Sequence, residues 1–122
     1  MNLLFIFIVL EDLHPKEFLN SNTVYYPICP LGDTDNIIQI KNNIALASEG
    51  RAMHHCVAGY GSSLLEEKSY IYKVINPERG TLHISRNGDN FDINQFKLVC
   101  NGPPSNDSYK IIRQWLKQKE RQ

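Results

Sequence analysis

The stretch from residue 69 to residue 100 leaves this chain little freedom. Residues 69–75 (SYIYKVI) are dense in aromatic and β-branched side chains, which suit a pleated, half-buried surface. Residues 76–80 (NPERG) read as a turn. Residues 81–85 (TLHIS) alternate, with Leu82 and Ile84 directed one way and Thr81, His83 and Ser85 the other. Residues 86–90 (RNGDN) contain Asn-Gly, a strong hairpin signal. Residues 91–100 then read as a third strand. Strand segments joined by short turns make an antiparallel meander, which must bury its apolar side against something else.

Helices supply the cover. Ser48 can cap a helix with Glu49 in its first turn, running over about residues 48–60 and ending between Gly59 and Gly61. At about 100° per residue, Met53, Cys56, Val57 and Tyr60 share one face, His55 flanks it, and Arg51 and His54 lie further round. Ser105 or Asp107 caps a last helix over about residues 108–119. Its apolar face is Ile111, Ile112, Trp115 and Leu116, and Lys110, Arg113, Lys117 and Arg121 lie opposite. Residues 23–29 (TVYYPIC) are β-prone, but Pro27 demotes them to an edge or irregular strand. Residues 37–40 form a short strand. The apolar start, residues 1–10 (MNLLFIFIVL), is followed directly by Glu11 and Asp12 and is too short to span a bilayer, so it reads as a buried first strand. The expected fold is α+β: an antiparallel sheet of about five to six strands packed by two helices, in a single domain over residues 1–122.

Composition narrows function more than fold. The chain has 122 residues, of which 42% are hydrophobic and 21% charged, as in ordinary globular proteins. Thirteen basic residues balance thirteen acidic ones. Binding nucleic acid through bulk charge is therefore excluded, and any phosphate contact must come from a local patch. Cys29, Cys56 and Cys100 are an odd, sparse set without zinc-site spacing, so they read as reduced thiols of a cytoplasmic protein. No glycine-rich phosphate loop and no paired-carboxylate metal site is visible, so no cofactor and no metal is expected.

The segment SEGRAMHHCVAGY, residues 48–60, resembles the signature of the PcfJ-like family, through Glu49, Gly50, His55, Cys56, Val57 and Tyr60 in that order. Further matches follow along the chain: the strand at 70–75, the Thr81-Leu82-His83-Ile84 strand, Gln95, Asn101 before Pro103 and Pro104, and Trp115 in the last helix. The resemblance covers about residues 37–116. It departs at His83, where the family usually has a carboxylate, and at residues 97–100 (KLVC), where a glycine is expected. The resemblance implies a bacterial mobile-element or plasmid setting and a role connected with nucleic acid. It implies no particular reaction.

Several residues could carry chemistry. Adjacent helical residues diverge by about 100°, so His55 and Cys56 do not face each other, and a Cys–His pair would need His83 from the sheet. Cys56 reads first as a small buried hydrophobe, and Tyr60 as a phosphate donor or a core residue. His55 and His83 are the acid/base candidates near neutral pH, and with Cys56 and Tyr60 they form the catalytic set. Arg51, Thr81, Gln95 and Asn101 would bind substrate. Lys110, Arg113 and Lys117 would contact a phosphate backbone, or simply face solvent. Two functions follow. One is a metal-independent phosphodiesterase or nuclease, acting on nucleic acid or a nucleotide through histidine. The other is a non-catalytic module that binds nucleic acid or protein, as a conjugation accessory, inhibitor or adaptor. A homodimer through the first strand or the meander edge is compatible with either; a membrane role is not expected.

Overall fold

Along β2 (Ser69–Val74), Tyr70, Tyr72 and Val74 alternate with Ile71 and Lys73, and that alternation sets the two faces of the sheet. The computed structural model describes residues 22–55 and 61–121. Among them, β1 (Ile37–Gln39), β2, β3 (Gly80–Asn87) and β4 (Asn90–Lys97) form one antiparallel sheet in the order β1-β2-β3-β4. Among the same residues, three α-helices and one 3-10 turn complete the α+β architecture: α1 (Asn43–Met53), α2 (Gly61–Leu65), the turn Val99–Asn101, and α3 (Asn106–Glu120).

One face of the sheet carries the larger core. Tyr72 lies opposite Leu82, and Tyr70 opposite Ile84, so all four project together. Ile37, Val74, Phe91 and Phe96 join them, and Ile112, Trp115 and Leu116 of α3 close over the top. Trp115 meets Tyr72 edge-on, with ring centroids 5.3 Å apart, an arrangement that aromatic pairs favour. α3 begins where the Ser105 hydroxyl accepts the Ser108 N–H at 3.1 Å, which satisfies one of the helix's unpaired first-turn donors. The opposite face carries a smaller core of Tyr26, Ile40, Leu46, Leu64 and Ile71, with α1 and α2 above it.

Several expectations need correction. The sheet has four strands among the described residues, not five or six. Residues 23–29 contribute only an isolated bridge, Tyr25 with Asn42. Pro27 has no N–H for a ladder, and the segment is held instead by Gln39, which accepts from the Cys29 N–H and donates to the Pro27 carbonyl. The apolar start at residues 1–10 lies outside the described residues. The first helix runs over Asn43–Met53 rather than 48–60, because Asn42 takes the cap, its side chain accepting the Ala45 N–H at 2.7 Å. β4 stops at Lys97, and Val99 to Asn101 coil into a 3-10 turn rather than extending the strand. Ile111 is 48% exposed, so the buried stripe of α3 is Ile112, Trp115 and Leu116. A short α2 was not anticipated.

The hairpin between β3 and β4 closes through Gly88 and Asp89, with Asn87 paired to Asn90. Gly88 has φ +62°, the left-handed value that a two-residue loop opening on glycine uses. At the other end of β3, a Cβ on Gly80 would come within 2.6 Å of the Phe96 ring and 3.0 Å of the Lys97 carbonyl. Only glycine allows β3 and β4 to close up there.

The seat of α3 on the sheet is open to direct test. Ile112 is fully buried, so Ile112→Ala is expected to cost about 2–5 kcal/mol. Trp115, the only tryptophan, reports unfolding by its fluorescence in urea. A loss below about 1 kcal/mol would show that Ile112 is not clamped between helix and sheet.

Candidate functional site

The chain leaves α1 through a left-handed residue. His54 has φ +53° and ψ +47°, a conformation that histidine adopts more readily than most non-glycine residues. The His55 N–H then closes on the Gly50 carbonyl at 2.9 Å, as the residue after a left-handed helix end does. This turn carries His55 toward the sheet, where its Nε2 lies 2.7 Å from the Leu98 carbonyl. A carbonyl only accepts, so Nε2 carries the proton and Nδ1 is the ring's basic nitrogen.

The sheet supplies the rest of the site from the face beneath α1. Thr81 pairs with Lys73 and Lys97, and His83 with Ile71 and Gln95, so two rows of side chains cross three strands. Gln95 reaches this face through a bulge. His83 opposes Gln95 while Ile84 opposes Ile93, which leaves Asn94 as the extra residue. Without the slip, Gln95 would share a face with Ile93; the bulge turns it over and keeps Phe96 in the core. Asn101 arrives from the 3-10 turn, where Cys100 and Asn101 both have positive φ, +57° and +60°. Two successive left-handed non-glycine residues store local strain, a feature that clusters at functional sites.

His55, Thr81, His83, Gln95, Lys97 and Asn101 therefore line one small cleft, floored by Ile71. Its volume of about 20 Å³ holds one water-sized group, not a whole ligand. Such a cleft suits a single phosphoryl oxygen or an attacking hydroxyl, with the remainder of a substrate outside. Burial pushes the His83 imidazole below its usual pKa of 6.5, so it is neutral at pH 7 and suited to accept a proton.

Two residues next to the cleft had not been singled out as functional. Glu49, on the buried face of α1, lies almost fully inside. Both its oxygens engage the Arg79 guanidinium, and Oε2 also accepts the Thr81 hydroxyl at 2.5 Å. From sequence, Glu49 reads as a first-turn acid and Arg79 as a turn residue. The available signal was the spacing Leu46, Glu49, Gly50, Met53, which is one helix face. Lys97 was also missed; its pairing with Thr81 places it on the cleft side.

The other candidates lie elsewhere. Arg51 is exposed on α1 and does not line the cleft. Cys56 and Tyr60 fall outside the described residues. Cys29 and Cys100 carry free thiols, the first buried and the second exposed; burial raises the Cys29 thiol's pKa. Lys110, Arg113 and Lys117 are exposed on α3, which covers the other face of the sheet, so they do not extend the histidine cleft. The Arg113 guanidinium sits 5.2 Å from the Tyr109 ring, a cation–π contact. Among the described residues, no group of three or more His, Cys, Asp or Glu is placed to hold a metal ion. No helix among them is long and apolar enough to cross a membrane. No known protein family, curated protein or solved structure matches the chain.

The environment of His83 predicts a pH dependence. The unfolded chain binds a proton at an ordinary histidine pKa, and the native state only at a lower pH. Between the two the unfolded state holds more protons, so stability falls as pH drops below about 6.5. Histidine-ring NMR is expected to give a His83 midpoint below 6.5, and His83→Gln should lessen the acid-side loss of stability seen in urea melts. A midpoint at or above 6.5 would show that the ring is not desolvated.

Proposed function

We propose that this chain is a histidine acid/base phosphodiesterase acting on a nucleic acid or nucleotide in the cytoplasm, with no metal required. The observation that carries the reading is the convergence of two histidines, a lysine, two side-chain amides and a threonine, from four separate parts of the chain, on one cleft. The resemblance to PcfJ-like proteins points to a nucleic-acid setting, on the residues quoted for it.

In this reading neutral His83 takes the proton from the attacking hydroxyl as its oxygen bonds to phosphorus. The bond from phosphorus to the leaving oxygen breaks, and protonated His55 supplies the proton that oxygen needs. Leu98 holds the Nε2–H, so the proton exchanged is the one on Nδ1. Lys97 offsets charge on the non-bridging oxygens, and Gln95 and Asn101 offer N–H donors to them.

A second reading has support from α3. Lys110, Arg113, Lys117 and Arg121 are all exposed there and fall on one side of the helix, as a non-catalytic module gripping a phosphate backbone requires. Binding would then weaken steeply with salt.

The test is turnover in EDTA against single-stranded and duplex DNA, RNA and short linear or cyclic oligonucleotides. His55→Ala, checked by thermal melting for intact folding, is expected to lose about 10²–10⁴-fold in rate. Equal rates in variant and parent would remove His55 from the chemistry. No cleavage, together with salt-sensitive binding that Arg113→Ala and Lys117→Ala weaken, would establish the binding module instead.

A further inference from the structure

A second and larger cleft of about 280 Å³ lies beside the first, between α1 and the β1–β2 side of the sheet. Ile38, Ala45 and Ala52 give it an apolar wall, and Ser48 a hydroxyl. Its charged lining residues are Glu49, Arg79 and Lys73. Glu49 is consumed by Arg79 and Thr81, as described above. Arg79 is occupied in turn, since its Nη1 also donates to the Gly80 carbonyl. Lys73 is different. It is partly buried, yet no carboxylate pairs with it among the described residues. The lining therefore carries one positive charge in excess, on the side chain best able to leave its place for a ligand.

The two clefts share a wall. Thr81 lines the histidine cleft and donates to Glu49, which lines the larger one. Lys73 and Lys97 flank Thr81 in one row across the sheet, two strand spacings apart, or roughly 10 Å. A volume near the lower end of small-molecule sites, roughly 300 Å³, suits a nucleoside-sized body. An apolar wall beside a lysine that has no carboxylate partner among the described residues suits a flat base joined to a phosphate.

We propose that this larger cleft is a nucleotide subsite, in which Lys73 pairs the phosphate and the base lies along Ile38, Ala45 and Ala52. The assignment rests on the phosphodiesterase reading for the identity of the substrate, and binding can be measured apart from turnover. It gives the small histidine cleft what it lacks, a place for the part of the substrate that does not react.

The experiment is titration of the whole chain with AMP, adenosine and inorganic phosphate, followed by backbone-amide NMR. AMP is expected to shift the amides of Ala45, Ala52 and Lys73 saturably, with adenosine and phosphate each weaker. Lys73→Met should weaken AMP by about tenfold, the loss of one charge-assisted contact, and should act on KM more than on kcat for any oligonucleotide cleaved. Ala52→Phe, which fills the cleft, should weaken AMP without removing the cation. Shifts confined to His55, His83 and Gln95, or equal AMP affinity in both variants and the parent, would overturn the subsite. If AMP binds as proposed and no oligonucleotide is cleaved, the subsite stands and the phosphodiesterase reading fails. If His55-dependent cleavage occurs with AMP unbound at Ala45 and Ala52, the subsite fails and the phosphodiesterase reading stands.

Discussion

A carboxylate buried under a helix sets the rest of this site. Glu49 is drawn out of water into the space between α1 and β3, a position that is costly without full compensation. Compensation is complete: two guanidinium nitrogens and a threonine hydroxyl reach its two oxygens. The carboxylate is 4% exposed while the guanidinium is 35% exposed, so the pair is dry on one side and open to water on the other. Removing a partner from a buried pair typically costs about 3–5 kcal/mol, and the open guanidinium puts this pair toward the lower figure. Its geometric effect matters more here. The bond from Thr81 to Glu49 fixes how α1 lies over β3, and six residues later the same chain presents His55 over His83.

The sheet divides its labour by face. The α3 side is apolar and well filled, with Tyr70, Tyr72, Leu82 and Ile84 all at or below 1% exposure. The α1 side has a smaller core and carries the polar rows of Lys73, Thr81 and Lys97, and of His83 and Gln95. Polar side chains crossing a sheet are ordinary where that face meets water. Here the face is partly covered, and burial lowers the affinity of His83 for a proton. The bulge at Asn94 belongs to the same division, because it lets β4 serve the core with Phe96 and the cleft with Gln95. The strained pair Cys100 and Asn101 lies in the turn that follows the strand, and Asn101 lines the cleft from there.

Much of this was legible in the sequence. Alternation over residues 81–85 separated Leu82 and Ile84 from Thr81, His83 and Ser85, and the hairpin signal at Asn87 and Gly88 gave the meander. A cap at Ser105 or Asp107 and a stripe of Ile111, Ile112, Trp115 and Leu116 point to α3; Ser105 is the cap, and Ile111 lies outside the buried stripe. The first helix was harder. Asn42 and Ser48 are both good caps, and a start at Ser48 shifts the helix and hides the buried phase of Glu49. Nothing local marks Arg79 as its partner, since the two lie 30 positions apart. The bulge left a trace that a strict alternation overlooks: Ile93 and Phe96 are three apart, and both turn to the core. The excess charge of Lys73 depends on Glu49 being taken by Arg79, a pairing that no local signal carries.

The central claim is that His55 and His83 serve one anion site. Histidine-ring NMR during a titration with pyrophosphate tests it without any assumption about turnover, and exposed His54 serves as the internal control. The account predicts that the His55 and His83 signals move together along one saturation curve while His54 stays still. Signals that move on separate curves, or no more than that of His54, would contradict it.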